Sequence, residues 1–420
     1  MERSLTFENP TLQLISDEAG KCINCGFCES VCPTFPAVGF NSIYGARGRV
    51  DLGNYLLKEI SEKGKIELRF SDSFYSCLSC NACLQVCPAG VNAGRVSELS
   101  RKVIANSDYF NEQNEQQIAK MIVSVTMKYM NPLGVREKCS RWAQDLHFED
   151  GSKTLFYTGN MFQLMPYSTS LGRMKKLLGK NLSQRFAGFI SRHPSLIKVV
   201  GLSFDKKMKS HMETELRNIV TLLKSSGISF SYLGKEEPYP GTFLYDLGYE
   251  KEFSEYANRV YSMLKSKGIE RLIVADPHTY DLLTSKYPKY VRGFDLEVLY
   301  YLDILDTKKF KKSDTLTTLH EPCLLTRGGK NNSSSSRLLS NFTNLELPKM
   351  SGKNTSCCGG PDELLYGEIA EKVSQNRFLQ LKSINAQKIV TACPICFANL
   401  NKSEEVIELP NLLTGLLNEN

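Results

Sequence analysis

The sequence predicts an α + α/β protein, with a helical N-terminal domain followed by two α/β units. Three observations lead there. Eight cysteines fall in two short runs, "CINCGFCESVCP" at 22–33 and "CLSCNACLQVCP" at 77–88, and the residues between and after them have helical periodicity. Five more cysteines sit beyond residue 320, behind β-like runs such as "TLTTLHEPC" and "NAQKIVTACPIC". A cysteine-free stretch upstream has the same order of run, turn and helix.

The chain has 420 residues, enough for two or three domains with separate cores. Its 41% hydrophobic and 23% charged content is that of a globular protein. The N-terminus shows no basic start followed by an apolar run, so no export signal is expected. No window approaches about 18 uninterrupted apolar residues, so no spanning helix is expected either. Fourteen cysteines in that setting point to a reducing, cytoplasmic compartment, where clustered cysteines read as metal ligands before disulfides.

Each N-terminal run is C-x2-C-x2-C-x3-C followed by proline. Three thiolates at three-residue intervals wrap one [4Fe–4S] cube, and the fourth turns away to the other cube. That rule assigns Cys22, Cys25, Cys28 and Cys87 to one cluster, and Cys77, Cys80, Cys83 and Cys32 to the second. Small residues such as Gly26, Ser79 and Ala82 let backbone N–H groups approach the sulfurs. A pair of zinc sites is the competing reading; it needs only four ligands each and no trailing C-P. Between the runs, Val50, Leu52, Tyr55, Leu56 and Ile60 are spaced for a helix, as is "GVNAGRVSELSRKVIA" after Cys87. Residues 1–130 therefore read as a helical two-[4Fe–4S] ferredoxin domain.

In the last third, Cys323 follows one β-like run. The pair Cys357-Cys358 comes after 33 intervening residues, and Cys393-x2-Cys396 ends a second run. Glu363 to Ile384 reads as the helix between them. This β–α–β grammar sets ligands at the carboxyl ends of parallel strands, where open α/β sheets build their sites. Gly359 and Gly360 supply the tight backbone that adjacent ligands need. Five thiolates exceed the four of a cubane. The readings are an unusual cluster with a reactive thiolate, a structural zinc site, or core cysteines without metal. Cys139, alone near Trp142, reads as a buried small hydrophobe. "GGKNNSSSSR" (328–337) reads as a flexible polar loop beside Cys323.

Residues 151–300 read as a degenerate copy of the unit at 312–420. Asn160 stands where Cys323 would, Tyr239 and Pro240 replace the double cysteine, and Asp276 and Thr279 replace Cys393 and Cys396. One reading is a repeat that keeps the fold and binds no cluster. The other has Asp276 and His278 holding a different metal or touching substrate. A basic insertion interrupts this copy at about 170–210. Ten Lys/Arg against Asp205 alone lie between Gly172 and Ser210, with Leu171, Met174, Leu178, Leu182, Phe186, Phe189 and Ile190 at helical spacing. Basic amphipathic helices lie on anionic membranes, so residues 172–210 suggest the inner membrane face or a quinone-reducing partner. The competing reading is a solvated helix packed on the repeat or docked on an acidic partner. The segment lacks the aromatic platform of a nucleic-acid binder.

These motifs resemble the iron–sulfur oxidoreductases built from a two-cluster ferredoxin module and paired cysteine-rich "CCG" repeats. "CINCGFCESVCPTF…ARGRVDL…CLSCNACLQVCPAGVNAGRV" looks most like the iron–sulfur subunit of glycolate oxidase and related FAD-linked 2-hydroxy-acid dehydrogenases. "HEPCLLTRGG…CCGG…TACPIC" is also similar to the catalytic subunit of heterodisulfide reductase, and anaerobic glycerol-3-phosphate dehydrogenase supplies a third relative. The resemblance implies an electron-transfer subunit that takes electrons from an FAD-bearing partner and passes them to quinone or another carrier. It also implies a noncubane [4Fe–4S] cluster on Cys323, Cys357, Cys358, Cys393 and Cys396, which in heterodisulfide reductase cleaves disulfides. The alternative function is thiol–disulfide chemistry at those five residues. "YGARGR" is no G-x-G-x-x-G fingerprint after a strand, so the flavin is expected on a partner chain.

Overall fold

The computed structural model describes residues 9–64, 71–105, 117–197, 203–328, 330, 333–360 and 365–418. Three helices build the N-terminal core: Pro10–Ala19, Ala46–Lys63 and Ala93–Ala105. The first starts on an Asn9 cap that accepts from Thr11 N, with proline at its first position. Leu12, Ile15, Val50, Leu56, Val96 and Leu99 meet between them. Gly53 lies at the crossing, where a Cβ would come within 2.6 Å of Val96 Cγ1. Val50 and Leu56 face the core as their spacing predicts, whereas Tyr55 points outward and donates to Glu59.

The remainder holds two parallel sheets. The first runs β1 (Thr154–Tyr157), β2 (Arg271–Val274), β3 (Glu297–Tyr300), paired Thr154 to Arg271 and Arg271 to Glu297. Ser231 adds a parallel bridge to Leu155 on its free edge. The second contains β4 (Leu316–His320), β5 (Asn344–Leu345), β6 (Lys388–Thr391) and β7 (Val406–Glu408), in the order β5-β4-β6-β7. Parallel pairing needs helical crossovers, which cover both faces, so the strands are largely buried after their first residue. One core joins the sheets: Leu155, Phe156 and Ile273 belong to the same buried cluster as Leu319, Ile389 and Val390.

The basic segment is helical, with an interruption. A helix spans Met161–Arg192, but Gly179 at φ 77° and ψ 167° breaks it in two. The second half packs Ala187 and Ile190 on Ile118, Ile122 and Val125 of the helix Gln117–Tyr129. Leu177, Leu178, Leu182, Phe186 and Phe189 stay exposed. The polar run 328–337 departs from its expected loop form in its last four residues: Ser334–Phe342 is a helix, since Leu338 and Leu339 bury one face of it. Residues 329, 331 and 332 of that run, and Glu363 and Leu364 of the expected 363–384 helix, lie outside the described residues; the helix there is Gly367–Lys382.

Candidate metal centres

The two cysteine runs fold into loops of one design. In the first, Asn24 and Gly26 take left-handed backbone on either side of Cys25; in the second, Ser79 and Asn81 do so around Cys80. Left-handed residues turn successive N–H groups inward, and glycine, asparagine and serine accept that backbone at low cost. Asn24 N donates to Cys22 Sγ at 3.4 Å and Val91 N to Cys87 Sγ at 3.2 Å.

The loops are interleaved. Cys22, Cys25, Cys28 and Cys87 line one small cavity with Val50, Val91 and Ala93. Cys32, Cys77, Cys80 and Cys83 line another, beside Arg49, Leu78 and Gly94. Each cavity thus takes three sulfurs from one run and the fourth from the other. Burial pushes the Cys28 and Cys83 thiols up to about 12. Four convergent sulfurs with no carboxylate lining either cavity are the donor set of a thiophilic iron or zinc centre.

Arg49, which motif spacing did not single out, fills the wall of the second cavity. It is fully buried; Nε donates to Ser73 O at 2.8 Å, and Nη1 donates to Thr34 Oγ1 at 3.0 Å and to Cys32 Sγ at 3.6 Å. A buried guanidinium marks a place where negative charge is expected.

The last five cysteines converge at the ends of β4 and β6. Cys323 opens the helix Cys323–Arg327, and Cys393 caps the helix Pro394–Leu400 that carries Cys396. Cys357 contacts Cys323, Cys358 and Cys80; Cys358 contacts Cys396; Cys396 contacts Cys393. The two glycines behind the pair are forced. Gly359 has φ +85°, and a Cβ there would meet Ala370 O at 2.6 Å. At Gly360 it would meet Ile395 Cγ2 at 2.2 Å.

His320, at the end of β4, completes this site, and its only sequence signal is its place in "LHEPC". Arg377 Nε donates to its Nδ1 at 3.0 Å, which leaves the imidazole proton on Nε2. A ring nitrogen of His320 and the sulfurs of Cys358 and Cys396 lie within 4.8 Å of one another. Contacts from Cys357 and Cys396, with His320 behind, hold Cys358 well below the ordinary thiol range. Cys80 is lowered to about 6, chiefly by the hydrogen bond to Cys357, with Arg327 and Arg49 adding. Packed sulfurs backed by a neutral imidazole and by arginines suit a metal–sulfur centre held as thiolates.

A cavity of about 130 Å³ opens beside this site. Cys77, Cys323, Gly360 and Ile395 line it together with His278, Asp281 and Lys286. Asp276, expected either as a ligand-free replacement or as a metal or substrate contact, caps its helix through Oδ1, which accepts from His278 N (2.9 Å) and Thr279 N (3.0 Å), while its Oδ2 is buried with no hydrogen-bond partner among the described residues. Asn160, Tyr239 and Thr279 are buried. Cys139 is buried beside Asn131, as its lone position predicts.

Two family models match the chain: a 4Fe-4S dicluster domain over residues 18–91 and a cysteine-rich domain over 317–401. They cover the two cysteine-bearing parts just described. The chain thus carries a 4Fe-4S dicluster domain and a cysteine-rich (CCG) domain. It is similar to a probable membrane-anchored ferredoxin of Chromohalobacter salexigens, 22% identical over 92% of this chain and 57% of that protein. It is also similar to one component of the dihydromethanophenazine:CoB–CoM heterodisulfide reductase of Methanosarcina barkeri, 22% identical over 93% of this chain and 90% of the relative. A probable glycolate oxidase iron–sulfur subunit of Bacillus subtilis is 23% identical over 90% of this chain and 87% of its own. The chain thus spans little more than half of the first of these relatives. Among the described residues of this CCG-domain protein, no helix is long and apolar enough to cross a membrane.

Proposed function

We propose that this protein is the iron–sulfur electron-transfer subunit of a flavin-linked dehydrogenase of the glycolate, lactate or glycerol-3-phosphate type. It takes electrons from an FAD-bearing partner and delivers them to quinone or another carrier. The contact between Cys80 and Cys357 carries this reading. Cys80 and Cys323 pack on the same small buried cluster as Cys357, which supports a relay through three metal-holding sites. Cys22, Cys25, Cys28 and Cys87 hold one [4Fe–4S] cluster; Cys32, Cys77, Cys80 and Cys83 hold another; Cys323, Cys357, Cys358, Cys393 and Cys396 hold a third, noncubane one. Bound clusters supply one-electron carriers. Arg49 and His320 direct positive or donor groups at the sulfurs, and the apolar walls exclude water around them.

The two sheets support the reading of a degenerate repeat at 151–300 and an intact one at 312–420. Both place a central pair of parallel strands next to a third, with a further parallel strand or bridge outside. Gly241 (φ +95°) follows Tyr239-Pro240 as Gly359 (φ +85°) follows Cys357-Cys358. Asp276 caps a proline-led helix as Cys393 does. In this reading the degenerate copy lost its ligands and supplies part of the cavity lining.

One observation favours the alternative, thiol–disulfide chemistry. Cys323 is a half-buried thiol of the five and lines the 130 Å³ cavity, so a small disulfide entering there meets sulfur first. The exposed Leu177, Leu182 and Phe189 beside the basic residues suit a membrane face or a quinone-reducing partner.

Anaerobic affinity purification of the tagged native protein, with its partners identified and bound flavin measured, tests the main reading. Co-purification of an FAD-linked oxidase is expected. Recovery with a b-type cytochrome and no flavoprotein would transfer the assignment to thiol–disulfide chemistry.

A further inference from the structure

Away from the cysteines, the helix Lys206–Ser225 meets the C-terminal strand β7 through three side chains. His211 and Glu215 stand one turn apart on the helix, and Glu408 is the last residue of β7. His211 Nε2 lies 2.9 Å from Glu408 Oε2 and 3.9 Å from Glu215 Oε1. One ligand atom from each residue lies within 4.8 Å of the other two. We propose that His211, Glu215 and Glu408 bind a divalent transition-metal ion, zinc fitting best, that fastens this helix to the C-terminal strand.

When ionised, these carboxylates need a cation; burial raises both carboxyls toward the protonated form when none is bound. Their side chains are 0% and 1% exposed, and among the described residues the only ion-pair partner of either is His211. Glu215 Oε1 is buried without a hydrogen-bond partner among the described residues, on the side facing His211 Nε2. Its other oxygen is held by Asn218 Nδ2 at 3.5 Å. Two adjacent buried carboxylates repel, and each ion carries a solvation cost of several kcal/mol that a surface pair does not. A 2+ ion cancels both charges, and a neutral imidazole adds a nitrogen donor without adding charge.

The imidazole is preset for this role. Its ring stacks on Phe397, with centroids 4.1 Å apart and planes 7° apart. Its side chain is 28% exposed, which leaves an open side for the ion to enter and for a water as fourth ligand. Phe397 directly follows Cys396, so the same ring that orients His211 sits on the helix of the five-cysteine site. The ion would tie a helix of the first α/β unit to a strand of the second, behind that helix.

The test uses cluster-loaded protein purified anaerobically, freed of loose metal by dialysis against chelator, and titrated with Zn(II) while total iron is followed. The wild type is expected to bind about one zinc per chain with no loss of iron, and to melt at higher temperature with zinc than without. Glu408→Gln keeps shape and removes charge; it should weaken zinc binding at least tenfold and abolish the zinc-dependent rise in melting temperature. His211→Gln, at the partly exposed position, provides the same reading if the buried variant folds poorly. Equal zinc stoichiometry in wild type and both variants would overturn the proposal. So would a wild type that binds none at tens of micromolar zinc, which would mean that protons alone neutralise the carboxylates.

Discussion

Cys80 packs on the small buried cluster of Cys357, Leu78 and Val373, joining a loop of the dicluster part to the double-cysteine turn of the CCG part. Arg327 locks this junction. Its Nε donates to Cys80 O at 2.6 Å, and its Nη1 donates to Lys353 O at 2.9 Å and to Thr355 O at 2.7 Å. One guanidinium therefore holds both loops at the distance that this packing requires.

Replacing Arg327 should separate the loops. Arg327→Ala removes three charge-assisted hydrogen bonds to carbonyls, a loss of ~2 kcal/mol or more. Magnetic coupling between the reduced centre at Cys32, Cys77, Cys80 and Cys83 and a paramagnetic centre at the five-cysteine site should weaken in this variant by electron paramagnetic resonance. Coupling equal to that of the wild type would show that the junction does not depend on the arginine.

Arg49 should set the potential of the centre beside it. Its buried charge favours the more negative, reduced state through Cys32 and the surrounding hydroxyls. Arg49→Gln removes that charge, so the midpoint potential should become more negative; a redox titration followed at low temperature reads it directly. Arg49→Lys retains the charge but not the fork and should lie between the two. A midpoint that does not move in Arg49→Gln would assign the residue a packing role only.

Gly359 is a position where no side chain fits. Its φ of +85° is strained for any L-residue, and a Cβ would press into Ala370 O. Gly359→Ala should therefore displace Cys357 and Cys358 while leaving the N-terminal loops intact. Iron analysis should show a loss of about four atoms per chain, with the two cubane signals retained. Full iron content in this variant would place the third cluster elsewhere.

What was legible in the sequence follows from how far each interaction reaches along the chain. The eight N-terminal cysteines act through loops of a few residues, so their spacing alone pointed to two four-sulfur sites, and the structure groups them around two cavities. The strand ends at Cys323 and Cys393 were legible because a β-like run into a cysteine is also local. Arg49, His320, Arg327 and Arg377 were not, because their partners lie far off in sequence. His320, for instance, takes its tautomer from Arg377 on a later helix. The serine-rich run was misread in its last four residues, 334–337, because composition signals a loop, while the burial of Leu338 and Leu339 that makes a helix there is a tertiary fact. The basic segment kept its helical period but not its continuity, since Gly179 turns the chain where periodicity alone predicts none.

The stability of the first α/β unit should depend on pH through Glu237. This side chain accepts from Thr158 Oγ1 at 2.8 Å and from Gly159 N at 2.7 Å, just beyond β1. Burial dominates over those hydrogen bonds and pushes its carboxyl from 4.5 up to about 8. The folded state therefore holds a proton that the unfolded state releases above 4.5. The contribution is fully present below that value and is lost as pH rises through about 8, at up to ~1.4 kcal/mol per pH unit for one proton. Asp246, raised to about 7 by burial, acts in the same direction, so the wild type loses stability over this range for more than one reason. Glu237→Gln removes one proton from that balance and keeps an acceptor for Thr158 and Gly159. Its melting temperature should fall less steeply than that of the wild type between pH 5 and pH 8. Parallel slopes in the two proteins would mean that Glu237 is ionised in the fold and that a compensating charge lies beside it.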